Sequence, residues 1–205
     1  LDVMNARDKA ILTDLERFRC MSREDITDIH FAGMSTAVDR TNVVMKRLVR
    51  DGHVKVSRER RMYIYFPSEN HIRLDSQKIN HYLAIVRFFR DIRKVRQPEL
   101  FRPEPKFGKG FAEPDVEMVW FNTPWFVEIQ RNAFSKESSF ERYEKYYLSQ
   151  QWHELSWQTD PPVFPYVWIY GVGNYNTEKK RAIQVFHSDI PDLVTRLERK
   201  QKESR

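Results

Sequence analysis

Apolar residues recur every three or four positions through the first fifty residues and then switch to strict alternation. That change of period divides the N-terminal third into helices followed by a hairpin. Ile11, Leu12, Leu15 and Phe18 predict an amphipathic helix over residues 6–19. Ser22 ahead of Arg23, Glu24 and Asp25 reads as an N-cap with acids in the first turn, and Ile26 and Ile29 give this short second helix its apolar side. Gly33 ends it. Ser35 or Thr36 caps a third helix reaching about residue 50, with Thr41, Val44, Met45 and Leu48 on one stripe. Arg40, Asn42, Val43, Lys46, Arg47 and Arg50 take its other faces, and Asp51-Gly52 supplies the stop. Residues 54–57 and 62–66 then alternate as two strands around a basic tip, Arg58-Glu59-Arg60-Arg61.

Pro67-Ser68-Glu69-Asn70-His71 breaks the pattern, and residues 68–76 are expected to link two domains, 1–67 and 77–205. A long helix follows over 77–96, burying Tyr82, Ile85, Val86, Phe89 and Ile92 and leaving Arg87, Arg90 and Lys94 outside. Residues 98–110, rich in Pro, Gly, Lys and Arg, read as loop. Residues 113–120 and 125–130 read as paired strands, with Val116, Met118 and Trp120 on one side of the first and Asp115 and Glu117 on the other. On the second, Trp125, Val127 and Ile129 point together and Glu128 and Gln130 point away. A helix opening at Ser138 or Ser139 carries an apolar stripe of Phe140, Tyr143 and Tyr147, leaving Arg142, Lys145 and Tyr146 for other faces. Residues 163–170 form a buried strand, 177–182 start a helix, 183–186 give a last strand and 190–200 a closing helix. Fold class is therefore α+β.

Charge sharpens this picture. Lys and Arg total 35 against 29 acids over 205 residues, a mild excess, but the distribution is uneven. Residues 1–39 hold five bases and eight acids, whereas residues 40–62 hold eight bases against Asp51 and Glu59, a local net charge of +6. Such a switch is expected of a surface that faces a polyanion. The single cysteine, Cys20, excludes an internal disulfide and a thiolate metal cluster, and fits a reducing, cytoplasmic setting. No apolar run approaches the roughly 18 residues of a bilayer span. No phosphate-cradling Gly-x-x-x-x-Gly-Lys loop occurs, and Gly171-Val172-Gly173 lacks the third glycine of a dinucleotide fingerprint. A small-molecule cofactor and a membrane partner are therefore not expected.

Two constellations carry candidate chemistry. Three helices and a hairpin in this order resemble a winged helix-turn-helix domain, and Met45-Lys46-Arg47-Leu48-Val49-Arg50-Asp51-Gly52-His53-Val54 carries the resemblance. A helix fits the major groove and hairpin arginines reach phosphates, so Arg40, Asn42, Lys46, Arg47, Arg50, Arg58, Arg60 and Arg61 are the candidate contacts to double-stranded DNA. In the second domain, Asp115 and Glu128 stand on paired strands with Gln130 two positions on. Two carboxylates with a carbonyl and water suffice for a hard cation, here Mg²⁺ or Mn²⁺.

Pro114-Asp115 followed by Glu128-Ile129-Gln130 resembles the PD-(D/E)XK nuclease superfamily, whose core is a mixed sheet carrying that Asp and Glu on adjoining strands. Gln130 stands where that pattern has Lys. Over nearly the full chain the arrangement resembles the replication-relaxation family of bacterial plasmids and mobile elements, which joins an N-terminal winged helix to a restriction-endonuclease-like α/β domain with a mixed sheet. The resemblance implies a role for Arg142 with Tyr146 beside Asp115, Glu128, Gln130 and Arg131, with Lys145 a further base on the same helix. It implies a DNA-binding protein acting in replication or DNA processing, with metal-dependent endonuclease chemistry at Asp115 and Glu128. The alternatives are a catalytically silent regulator that uses the nuclease-like fold for homodimerisation or partner binding, and a winged-helix adaptor that binds protein only.

Overall fold

The structure is a computed structural model describing residues 4–69, 72–73, 76–131, 138–173, 175, 177–178 and 181–203. Its elements run α1 (Ala6–Phe18), β1 (Met21–Ser22), α2 (Arg23–His30), α3 (Ala37–Arg50), β2 (Val54–Ser57), β3 (Ile64–Pro67), α4 (Lys78–Val95), β4 (Leu100–Pro103), β5 (Val116–Trp120), β6 (Thr123–Gln130), α5 (Ser138–Ser149), β7 (Tyr166–Gly171), β8 (Val185–His187) and α6 (Ile190–Glu203), with a short 3-10 turn at Gln151–Glu154. The chain is α+β and divides into two compact units, Leu1–Asp91 and Ile92–Arg205.

In the first unit, local side-chain chemistry sets the starts of α1 and α2, whereas Thr36, expected to cap α3, stands at its start in the left-handed region and makes no side-chain cap. Asn5 accepts from the Asp8 amide while Asp8 accepts from that of Asn5, and Ser22 and Asp25 do the same at α2. Such reciprocal caps satisfy two of the orphan donors at each start. Ile11, Leu15, Phe18, Ile26, Met45 and Leu48 are buried, as the periodicity requires. Gly52, at φ 78°, turns the chain out of α3, where its amide donates to the Val49 carbonyl. β1, β3 and β2 make an antiparallel sheet in that order. The two-residue β1 is too short for alternation to reveal.

The first unit extends well past Pro67. Ile79 and Tyr82 of α4 are buried with Cys20, Ile64 and Phe66, and Phe89 packs on Phe18 with ring centroids 5.3 Å apart. Arg90 donates to Asp25 at 2.7 Å and also pairs with Asp28. Arg60 donates from the hairpin to Asn80 Oδ1 at 2.7 Å and to the Ser76 carbonyl. The division expected over residues 68–76 therefore falls inside the first unit. Residues 70, 71, 74 and 75 of that stretch lie outside the described residues. Cys20 is fully buried, and burial together with the Asp25 charge pushes its thiol up to about 12, against a smaller pull from Arg60.

The second unit is built on a five-stranded mixed sheet, β4-β5-β6-β7-β8, antiparallel through β6 and parallel from β6 to β8. Val116, Met118 and Trp120 share one face with Trp125, Val127 and Trp168, all at most 1% exposed. On the other face, Phe126, Val167 and Ile169 are buried in one cluster with Phe140, Tyr143 and Tyr146 of α5. The stretch 98–110, expected as loop, contains β4. Pro98, Pro103 and Pro105 hide it, since they read as loop, yet β4 is an edge strand, where proline is tolerated. Thr177 and Glu178 form a turn where a helix over 177–182 was expected, and residues 179–180 lie outside the described residues. No helix among the described residues is long and apolar enough to cross a membrane.

Candidate functional site

The basic surface of the first unit starts from the geometry of α3. At about 100° per residue, Asp39, Asn42, Val43, Lys46 and Arg50 fall on one stripe, and all five are exposed. Opposite them, Thr41, Met45 and Leu48 are buried, and the Thr41 hydroxyl donates back to the Ala37 carbonyl. Arg40 is exposed on the flank. Arg47 shares that flank, but its guanidinium donates to Asp8 Oδ1 at 2.7 Å, and Asp8 is 1% exposed. Arg47 thus fastens α3 to the capped start of α1 and is not placed to read a base. Arg50 pairs with its neighbour Asp51 from an exposed position. At the hairpin tip Arg58 and Arg61 are exposed, with the Arg58 guanidinium 5.8 Å from the Tyr63 ring centroid. Arg60 is half-buried and held by its bonds to Ser76 and Asn80. Of the eight expected contacts, Arg40, Asn42, Lys46, Arg50, Arg58 and Arg61 lie exposed, Arg50 paired with its neighbour Asp51, while Arg47 and Arg60 are tied to partners distant in sequence.

In the second unit the carboxylates face the helix side of the sheet. Continuing the β5–β6 register, in which Val116 faces Val127, sets Asp115 opposite Glu128. Asp115 Oδ2 accepts from the Ile129 amide at 2.6 Å, which pins its side chain across the strand pair. Glu128 Oε1 accepts from the Tyr143 hydroxyl at 2.5 Å. Both acids are half-buried, so this is not a solvated sheet face. Gln130 is half-buried beyond them, opposite Gly171 on the parallel neighbour. A Cβ on Gly171 would meet the Gln130 carbonyl oxygen at 2.1 Å, so only glycine permits this approach of β7.

Tyr143 is the residue that the pattern missed. It is fully buried, and burial, then the Glu128 charge and hydrogen bond, then Asp115, hold its phenol well above the ordinary range. Tyr175 is raised by burial and by Glu128 as well. Tyr146, expected at the site, packs instead in the core, stacked on Phe107 at 4.7 Å and against Phe111 and Phe126. Burial and the charges of Glu117 and Glu154 push its hydroxyl up to about 12. Arg142 and Lys145 are exposed, a quarter turn or more around α5 from Tyr143. Lys145 leans over Phe111, its Nζ 5.9 Å from the ring centroid. The structure therefore gathers Asp115, Glu128 and Tyr143, and does not bring Arg142, Lys145 or Tyr146 to them.

Glu117, on the same face, is fully buried and accepts from Arg102 at 2.7 Å and from the Trp157 indole at 2.8 Å. Its place in an alternating strand gave no signal of this pairing.

The raised phenols have a consequence for stability. The unfolded chain loses tyrosine protons near the ordinary value of 10, while Tyr146 keeps its own to about 12. Their stabilising contribution is complete below pH 10 and disappears across that window, because the unfolded state then binds fewer protons. Urea midpoints should fall between pH 10 and 12, and less steeply in Tyr146→Phe. An equal slope in both proteins would contradict the shift.

Comparison of the chain with protein-family models finds no match, and comparison with curated proteins finds none either.

Proposed function

We propose that the chain is a DNA-binding protein of a plasmid, phage or mobile element that acts in replication or DNA processing. In this reading the first unit is a winged helix-turn-helix and the second has a nuclease-like fold. The observation that carries it is the exposed stripe of α3 with Asn42, Lys46 and Arg50, in a segment of local charge +6 that also holds the exposed Arg58 and Arg61. Helix side chains of this kind suit the groove, and the hairpin bases suit phosphates. For the second unit, support comes from the mixed sheet and from Asp115, at the entry to β5, and Glu128 on the adjoining β6.

The test is anisotropy of the full chain with a random-sequence duplex over a salt series. Binding should weaken steeply with salt, and changing Lys46, Arg58 or Arg61 to Ala should each flatten the slope by about one phosphate equivalent. No binding at about 50 mM salt would pass the reading to a protein adaptor.

The acids suit a hard divalent cation in donor type, since both are oxygen ligands on one face. No group of three or more His, Cys, Asp or Glu gathers among the described residues, so Mg²⁺ or Mn²⁺ would rest on Asp115 and Glu128, with a backbone carbonyl and water. Such an ion supplies water activation and neutralises charge on an attacked phosphodiester. Tyr143 would hold the Glu128 carboxylate in place, and Gln130 would offer an amide where the nuclease pattern has an ammonium. That neutral amide, and the protein donors already on both carboxylates, favour a second reading. In it the unit is a catalytically silent regulator domain that serves homodimerisation or partner binding. Supercoiled DNA with Mg²⁺ or Mn²⁺ distinguishes the two. Cleavage lost in both Asp115→Ala and Glu128→Ala supports an endonuclease, and intact DNA with no calorimetric metal signal supports the regulator.

A further inference from the structure

Val43 is 69% exposed in the middle of α3. A β-branched residue on a solvated helix position gains nothing from burial and has a lower helix propensity than the Ala, Lys or Glu that usually fill such positions. Its surroundings are polar. Asp39, Asn42, Lys46 and Arg50 lie within one or two turns on the same stripe, and all are exposed. The nearest other exposed apolar residue of the helix, Val38, is 48% exposed but lies well around the cylinder. The two do not merge into an apolar patch of the kind a protein partner requires. A single branched methyl pair among hydrogen-bonding and cationic groups suits a target that is itself polar and anionic with one isolated methyl. The major groove offers that in thymine, whose C5 methyl stands among acceptors, donors and phosphates.

We propose that Val43 is a specificity-determining residue that reads thymine through its C5 methyl group. This deepens the proposed function and rests on α3 being the helix that meets DNA. Asn42 next to it has the amide geometry for the N6 and N7 edge of adenine, so the two neighbours together favour an A·T step. Lys46 and Arg50 supply phosphate attraction that is indifferent to sequence. Asp39, the single acid of the stripe, suits the exocyclic amine of cytosine at its N-terminal end.

The experiment selects bound sequences from a random duplex pool with the full chain, then rebuilds the enriched duplex with deoxyuridine at each thymine in turn. That exchange removes the methyl and keeps the pairing edge. At one thymine per bound site, wild type should lose about three- to fivefold in affinity, the worth of one buried methyl. Val43→Ala should bind the two duplexes equally, while Val43→Thr, which keeps one methyl, should retain part of the discrimination. Both substitutions lie on an exposed face and leave the core of α3 intact. Three outcomes overturn the proposal while DNA binding stands: no thymine sensitive to demethylation, the same loss in Val43→Ala as in wild type, or duplex binding that enriches no sequence. Absence of any duplex binding overturns the proposed function, and this inference with it.

Discussion

A chain ended after Pro67 is expected to be unfolded, while one ended after Val95 folds and melts cooperatively. The strand β3 ends at Pro67, and its Ile64 and Phe66 are covered by Ile79 and Tyr82 of α4. Cutting before α4 exposes that cluster and the Phe18 ring that Phe89 covers. It also removes the guanidinium from Asp25, which is 4% exposed and accepts from the amide of Ser22, the N-cap of α2. Deleting the Arg90 side of this partly buried pair costs about 1–3 kcal/mol, because Asp25 stays desolvated while keeping only its Ser22 donors. Within the full chain, Arg90→Ala should lower the stability of the first unit by that amount, a large share of the roughly 5–15 kcal/mol that holds a domain. Amide dispersion in NMR spectra of the fragments and urea midpoints of the variant measure both effects. A 1–67 fragment with native dispersion would refute the assignment of α4 up to Asp91 to the first unit.

Two adjacent residues of β6 should behave in opposite ways. Val127→Asp is expected to unfold the second unit, since the new carboxylate would sit fully buried beside Val116 and Trp168 with no donor to receive it. Glu128→Gln should leave folding intact, because its amide oxygen accepts from the Tyr143 hydroxyl as the carboxylate does. Circular dichroism melts of the two variants decide the matter. If Glu128→Gln also unfolds, the acid is structural and the case for a metal there falls with it.

Much of this architecture is legible in the residues. The helices of the first unit follow their apolar spacing, and the acids of β5 and β6 follow from alternation alone. What alternation does not convey is what lies over a face. Periodicity predicts that α4 buries Tyr82, Ile85 and Phe89, yet it carries no information on which partner they meet, so the proline-containing break at Pro67 looks like a boundary in the sequence alone. The same limit explains the tyrosines of α5. A helix packed on a sheet buries a band more than 100° wide, and Tyr146 lies within it beside Phe140 and Tyr143. Assigning only Phe140, Tyr143 and Tyr147 to the core left Tyr146 for the site, and it hid the hydroxyl of Tyr143 that reaches Glu128. Arg47 and Arg60 were indistinguishable from their exposed neighbours because their partners, Asp8 and Asn80, are distant in sequence.

The lone thiol gives the protein a built-in clock. Cys20 lies under Ile79 and Tyr82, and its proton is held up to about 12, so a disulfide reagent at neutral pH meets a group that is both covered and protonated. Labelling must wait until α4 lifts from the sheet and the thiol returns to its ordinary value near 9. The rate of reagent uptake is then a direct count of how often the first unit opens. Arg90→Ala should quicken that count, and a duplex that binds the closed form should slow it in proportion to its occupancy.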